Sequence, residues 1–132
     1  MWFAPDGKVL QSIHEGAVGA QKAQLEEVEF FIEYNASDKD AGVQVFLDGE
    51  GWEWIEISNP AGKTIYRFNV DNAAKKIGIT ELFFESSEPS FDVLPFAELL
   101  KMYPEGIYEF DGQTVTGEKF ESKTVFSHMI PA

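Results

Sequence analysis

Few side chains in this sequence belong to motifs that enzymes use for nucleophilic chemistry. There is no cysteine, and the two histidines, His14 and His128, lie in no familiar nucleophile motif such as Gly-x-Ser-x-Gly. The glycines stand singly in predicted turns, so no glycine-rich loop is present that would cradle a phosphate group. These patterns predict that the protein is not an enzyme.

A pair of carboxylates is the remaining route to catalysis, because two acids suffice to cleave a glycosidic bond. Glu81 and Glu85 lie on one predicted strand and form such a pair. The chain has 23 acidic residues, so some pair falls at a suitable separation by chance. We therefore expect Glu81 and Glu85 to be solvent-facing strand residues.

Oxygen ligands for a hard cation are concentrated around the first predicted turn. Asn35, Asp38 and Asp40 lie within this turn, and their oxygens suit calcium, although the order of an EF-hand loop is missing. Asp48 and Glu50 lie one five-residue strand away, ~17 Å, and cannot share the ion. We expect that no cofactor is required and that calcium would bind at Asn35, Asp38 and Asp40. The alternative is that Asn35 and Asp38 bond to nearby backbone amides.

Trp52 and Trp54 are two positions apart on a predicted strand, which places both indoles on the same side. Two flat rings on one face are able to stack on a saccharide. Core packing is the more usual role of such a pair. The opposite side carries Glu53 and Ile55, so the alternation does not show which side is buried. Carbohydrate binding through Trp52 and Trp54 is therefore an alternative function.

Strand patterns rich in aromatic and β-branched residues fill the chain from Val28 onward. Short turns separate them, and Asp48-Gly49-Glu50-Gly51 is predicted to be a tight connection between two strands. A single short helix is predicted for residues 92–102, with Asp92 as its N-cap. The predicted strands cover residues 28–34, 43–47, 52–57, 63–70 and 79–85, followed by a hairpin of residues 104–115 and 120–129.

About seven short strands and one short helix predict an all-β fold, an immunoglobulin-like or fibronectin type III-like antiparallel β-sandwich. We expect residues 28–132 to form the sandwich and residues 1–27 to form an N-terminal arm or edge segment. Tyr108 lies where a tyrosine-corner residue would lie, and a plain core aromatic is the alternative. The predicted core consists of Phe30, Ile32, Val45, Leu47, Phe68, Leu82, Phe84, Tyr108 and Phe110.

The charge of the chain limits its partners. Lys and Arg total 10 against 23 acidic residues, giving a net charge of -13, which opposes binding to nucleic acid and to anionic membranes. No apolar run approaches the ~20 residues that span a bilayer, so no membrane insertion is expected. Residues 1–7 have no basic start, so they do not read as a secretory signal.

Several segments together resemble uncharacterised exported bacterial proteins, in which such an immunoglobulin-like region tends to precede a fibronectin type III-like module. The likeness covers about residues 28–132. It implies an extracellular or periplasmic location, with the signal peptide missing from this chain. The resemblance brings no assigned activity. Our leading functional hypothesis is a non-catalytic structural or binding module that interacts through loops or sheet edges, with a protein or carbohydrate partner and a monomeric state. The segments that carry the resemblance are Glu33 to Gly42, Leu47-Asp48, Asn59 to Lys63, Glu81 to Glu85, Pro104 to Tyr108 and His128 to Pro131.

Overall fold

A computed structural model describes residues 24–129, in which the chain is mostly antiparallel β-strand with one short α-helix. The all-β class and the single short helix predicted from the sequence are therefore confirmed. A 3-10 helix, Asn72–Lys76, follows the third strand. The other elements, in chain order, are β1 (Glu27–Asn35), β2 (Asp40–Ser58), β3 (Thr64–Asn69), β4 (Ile79–Glu85), α1 (Phe96–Met102), β5 (Gly106–Thr114) and β6 (Lys119–Phe126).

The 19-residue strand β2 replaces two predicted strands. The tight connection predicted at Asp48-Gly49-Glu50-Gly51 is wrong, because the chain continues through it as strand. Its pairing register shifts between Asp48 and Trp52 along β4, and between Trp52 and Trp54 along β5. Extra residues of this kind bend a strand without ending it. Residues 24–129 consequently contain six strands, and the long strand is bent near its middle.

The bend divides the sheet into two halves. Trp52 pairs with Ile79 of β4 and with Thr114 of β5, so these two strands lie along opposite edges of β2. β1 pairs with residues 40–48 of β2, also opposite β4. We call β1, residues 40–48 of β2, and β4 the first half. The second half consists of residues 52–58 of β2 with β3, β5 and β6.

One hydrophobic core lies between the two halves, as in a sandwich. The ring of Phe30 in the first half lies 4.7 Å, centroid to centroid, from the rings of Tyr108 and Phe126 in the second. Most of the predicted core is confirmed, whereas three members on the edge strands β3 and β4 are only half-buried and pack against it. The buried members are Phe30, Ile32, Val45, Leu47, Tyr108 and Phe110, and the half-buried ones are Phe68, Leu82 and Phe84.

The helix is shorter than predicted. α1 begins at Phe96, and Asp92 does not cap it, so that prediction is wrong. Proline disfavours helical backbone at the residue before it, so Pro95 keeps Leu94 outside the helix. The preceding residues form a turn in which the backbone N–H groups of Val93 and Leu94 donate to the carbonyl of Ser90. Leu99 is the helical residue buried in the core.

Parts of the predicted N-terminal arm, residues 1–23 including His14, lie outside the described residues. Leu25 precedes β1, and its backbone N–H donates to Ser122 Oγ at 2.8 Å. The boundary between an arm and a sandwich domain stays a prediction, as does the specific immunoglobulin or fibronectin type III topology. Among residues 24–129, no helix has both the length and the hydropathy that crossing a membrane requires.

Candidate functional site

The surface of the first half that points away from the core is built by strand alternation. Side chains directly opposite each other in an antiparallel pair lie on the same face of the sheet. Val45 is buried and pairs with Phe30 and Phe84, so these three define the inner face. The next residue, Phe46, therefore points outward together with its partners Glu29 and Phe83. We call this surface the outer face of the first half.

Three phenylalanines lie on this outer face. Phe46 is directly opposite Phe83, whose side chain is 56% exposed. Phe31 pairs with Gln44 and is the diagonal neighbour of Phe46. Within residues 24–129, none of the three belongs to the core or to the hydrophobic residues that pack against it. Core packing therefore does not explain these three aromatic side chains.

Carboxylates surround the three phenylalanines. β1, residues 40–48 of β2, and β4 contain no lysine, arginine or histidine. The outer face of the second half also has a group of carboxylates, Glu109, Asp111 and Glu121, within 4.8 Å of one another, but two of its acids are paired with bases. There the Arg67 guanidinium lies 2.7 Å from Glu56, and the Lys123 ammonium lies 3.6 Å from Glu109. The carboxylates on the outer face of the first half belong to Glu27, Glu29, Glu33, Asp48, Glu81, Glu85 and Glu88.

Glu88 reaches this face because Gly42 has no side chain. A Cβ at Gly42 would lie 2.7 Å from Ser86 Oγ and 2.9 Å from Glu88 Cγ, so glycine is required for this close approach. Ser86 Oγ accepts a hydrogen bond from the Val43 backbone N–H at 3.0 Å, which anchors the segment after β4. The carboxylate oxygens of Glu33, Glu85 and Glu88 consequently lie within 4.8 Å of one another.

The clustering changes the acidity of Glu88. Burial raises the pKa of the Glu88 carboxyl above its ordinary value, and hydrogen bonding to Glu33 and the charges of Glu33, Asp40 and Glu85 raise this pKa further. The side-chain amide of Gln44 donates to Glu33. Glu88 Oε2 is buried and has no hydrogen-bond partner among the described residues. Glu88 therefore retains its proton at a higher pH than an isolated glutamate.

The structure brings together two of the three residues predicted to bind calcium. Asn35 Nδ2 donates to Asp40 Oδ1 at 2.7 Å, and the two residues pair at the ends of β1 and β2. Asp38 is exposed in the turn between them. Asn35 thus bonds to a side chain rather than to a backbone amide. Calcium binding at Asn35, Asp38 and Asp40 stays a prediction.

The two tryptophans do not form a shared platform. Trp52 pairs with Thr114 and Trp54 pairs with Gln113, and these consecutive residues of β5 point to opposite faces. The prediction that the indoles share a side is wrong, because the bulge between them places an extra residue in β2. Trp52 is 1% exposed and packs against Phe120. The position of Trp52 gives no support to carbohydrate binding through the pair.

The other residues singled out in the sequence are two glutamates, which lie on the outer face of the first half, and one histidine, which lies elsewhere. Glu81 and Glu85 are exposed on the outer face, as the sequence predicts for solvent-facing strand residues. His128 lies near the end of the described chain, where its Nε2 is 2.8 Å from the carbonyl of Tyr103. Its backbone N–H donates to Glu105.

The sequence contains a signal for the outer phenylalanines that the strand analysis missed. Each of them stands between two core-facing residues, at a position where a half-buried strand normally carries a polar side chain. Phe31 follows Phe30, Phe46 follows Val45, and Phe83 follows Leu82. Three neighbouring strands thus each have an aromatic residue at a position where a polar side chain is usual.

No protein-family model and no curated protein matches this chain. The resemblance to exported bacterial proteins therefore stays a prediction.

Proposed function

We propose that this chain is a non-catalytic binding module of an exported bacterial protein and that it binds another protein through the outer face of the first half. The observation that carries the proposal is the placement of Phe46 opposite the exposed Phe83, outside the core. Contiguous exposed apolar side chains on a folded protein mark interaction surfaces more often than chance positions. The extracellular or periplasmic location is proposed on the resemblance alone.

The position of the surface on paired strands supports a binding role. Each of the three strands is hydrogen-bonded to a neighbour, and their opposite face is packed into the core through Phe30 and Val45. Side chains on such elements are held more rigidly than side chains on loops, which reduces the entropy lost on binding.

We also propose that the sandwich is of the immunoglobulin or fibronectin type III kind. Tyr108 supports this assignment, because its hydroxyl donates to the carbonyl of Pro104 at 2.8 Å. A tyrosine near the start of the penultimate strand that bonds to backbone a few residues upstream is the tyrosine corner of such sandwiches.

Site-specific photo-crosslinking in the cells that naturally express the protein tests the binding role. A photoreactive phenylalanine analogue replaces Phe83 in one version of the chain and Ile107, which is 49% exposed on the second half, in the other. We expect position 83 to give a covalent adduct with a distinct protein, identified by mass spectrometry, that position 107 does not give. Equal adducts from both positions, or no adduct from position 83, would contradict the proposal.

A further inference from the structure

We infer that the partner contributes a basic, extended segment that pairs with the free edge of β4 and lays alternate side chains over the outer face of the first half. This inference rests on the proposed function and specifies the chemistry of the partner. It follows from three features of the face: the absence of basic residues from its three strands, the alternation of acidic and aromatic side chains along β4, and the β4 edge that pairs with no other strand of residues 24–129.

The charge of the face selects a cationic partner. Carboxylates surround Phe31, Phe46 and Phe83, and the three strands that form the face provide no base. A partner with lysine or arginine side chains would neutralise these acids, and an arginine could also lie over a phenylalanine ring. A second copy of this chain would instead bring carboxylates against carboxylates, which disfavours self-association through this face.

The spacing along β4 selects an extended segment. Glu81, Phe83 and Glu85 occupy alternate positions and point to the outer face. An antiparallel or parallel neighbour strand presents its side chains with the same two-residue period. A segment that alternates basic and apolar residues therefore places a base beside each glutamate and an apolar side chain beside Phe83.

The edge of β4 provides the backbone groups for this pairing. Within the described part of the chain, β4 is hydrogen-bonded to β2 alone. A strand with one unpaired edge is a template for the addition of another strand. The Glu85 carboxylate at the end of β4 lies within 4.8 Å of those of Glu33 and Glu88, so acidic groups are concentrated at this end of the edge.

Fluorescence anisotropy with the full-length chain tests the inference. The probe is a labelled peptide of alternating arginine and valine, and two matched peptides replace either arginine with glutamate or valine with serine. We expect the first peptide to bind and both substituted peptides to bind at least about tenfold more weakly, because each removes one of the two interactions.

Two double variants distinguish a local site from diffuse attraction to an acidic protein. Glu81→Lys with Glu85→Lys changes the proposed site, whereas Asp71→Lys with Asp92→Lys makes the same change in net charge at exposed residues elsewhere. We expect about a tenfold loss of affinity for the first pair and less than about a twofold loss for the second. Glu81→Gln with Glu85→Gln provides a neutral form of the site variant if the lysine form does not fold.

Absence of binding by the wild-type chain, or equal losses in the two double variants, would overturn the inference. The crosslinking result separates this failure from failure of the proposed function. A specific adduct from position 83 without peptide binding would retain the binding module and reject the basic partner segment. Absence of that adduct would reject the binding module itself.

Discussion

Tyr108 combines two roles that sequence reasoning treated as alternatives. Its ring is fully buried in the core, and its hydroxyl leaves the core to donate to the carbonyl of Pro104. Burial, followed by the charge of Tyr103, raises the pKa of the Tyr108 hydroxyl to about 12. The hydroxyl therefore stays protonated and remains a donor at neutral pH.

Replacing Tyr108 with phenylalanine should lower the free energy of unfolding by about 1–2 kcal/mol, because the Pro104 carbonyl loses its donor while the ring is retained. Urea denaturation measures this loss. Tyr34→Phe is the matched control, since the Tyr34 side chain is 39% exposed. An equal loss in both variants would show that the corner hydrogen bond does not stabilise the fold.

Glu88 should make stability depend on pH. Its pKa is raised above the ordinary 4.5, so its stabilising contribution is fully present below the unfolded value and is lost as pH rises through the raised folded value. Glu88→Gln removes this dependence. We therefore expect the variant to gain stability relative to wild type as pH rises from 4.5 to neutral.

Urea denaturation over this pH range measures the difference between the two proteins. Glu118→Gln, in the exposed turn between β5 and β6, controls for the loss of one negative charge. A Glu88→Gln variant whose stability relative to wild type stays constant over the range would argue against a raised pKa.

At the scale of the elements, the bend of β2 determines how the halves meet. Residues on either side of it pair with different strands, and the backbone of the bend approaches its neighbours closely. The Val115 backbone N–H donates to the carbonyl of Gly51 at 3.0 Å. A Cβ at Gly51 would lie 2.7 Å from the backbone oxygen of Ile77, whereas a Cβ at Gly49 would meet the flexible end of Leu25 at 2.9 Å.

This difference predicts unequal effects of alanine at the two glycines. Gly51→Ala should cost about 1–3 kcal/mol of unfolding free energy, because the Ile77 backbone oxygen cannot move aside without shifting the segment that leads into β4. Gly49→Ala should cost clearly less, since the Leu25 side chain is able to rotate. Thermal or urea unfolding of the two variants compares them directly. A larger cost at Gly49 would mean that the bend is not held by the contact with Ile77.

At the scale of the whole molecule, one core joins two halves whose outer surfaces differ. Phe110 of the second half lies 6.5 Å from Phe30 of the first half, ring to ring, so the core is continuous across the bend. The outer face of the second half has mixed charges, with ion pairs such as that of Arg67 and Glu56. The outer face of the first half has acids, the exposed ring of Phe83 and the half-buried rings of Phe31 and Phe46. Within residues 24–129, the two outer faces therefore differ in their ion pairs and in the three phenylalanines of the first half.

Phe110→Ala should lower the free energy of unfolding by about 3–5 kcal/mol through lost contacts and a cavity between the halves. Phe83→Ala is the control with the same change in side chain at an exposed position, and it should cost less than about 1 kcal/mol. Chemical denaturation measures both. Similar costs would indicate that Phe83, rather than Phe110, contributes to the packing that holds the protein together.

Local patterns in the sequence determined the type of most elements. Alternation of apolar residues placed β1, β3, β4 and the hairpin of β5 and β6 close to their observed bounds, because strand propensity and turn residues act between chain neighbours. The same alternation identified most of the core. The same pattern also includes Phe31, Phe46 and Phe83 at outward positions. Alternation alone does not show which face of a strand packs into the core, so it did not identify these three as lying outside the core.

Tertiary structure decided what happens at Gly49 to Trp54 and at Glu88. The register shifts in β2 depend on pairing with β4 and β5, which are distant in sequence. Because of this pairing, the segment Asp48 to Gly51 is strand rather than turn, and Trp52 and Trp54 lie on opposite faces. The raised pKa of Glu88 depends on Glu33, 55 positions earlier in the printed sequence, and on burial against Gly42. Propensities and alternation report on neighbours in the chain, whereas pairing partners, burial and proton affinity are set by residues that meet only when the chain is folded.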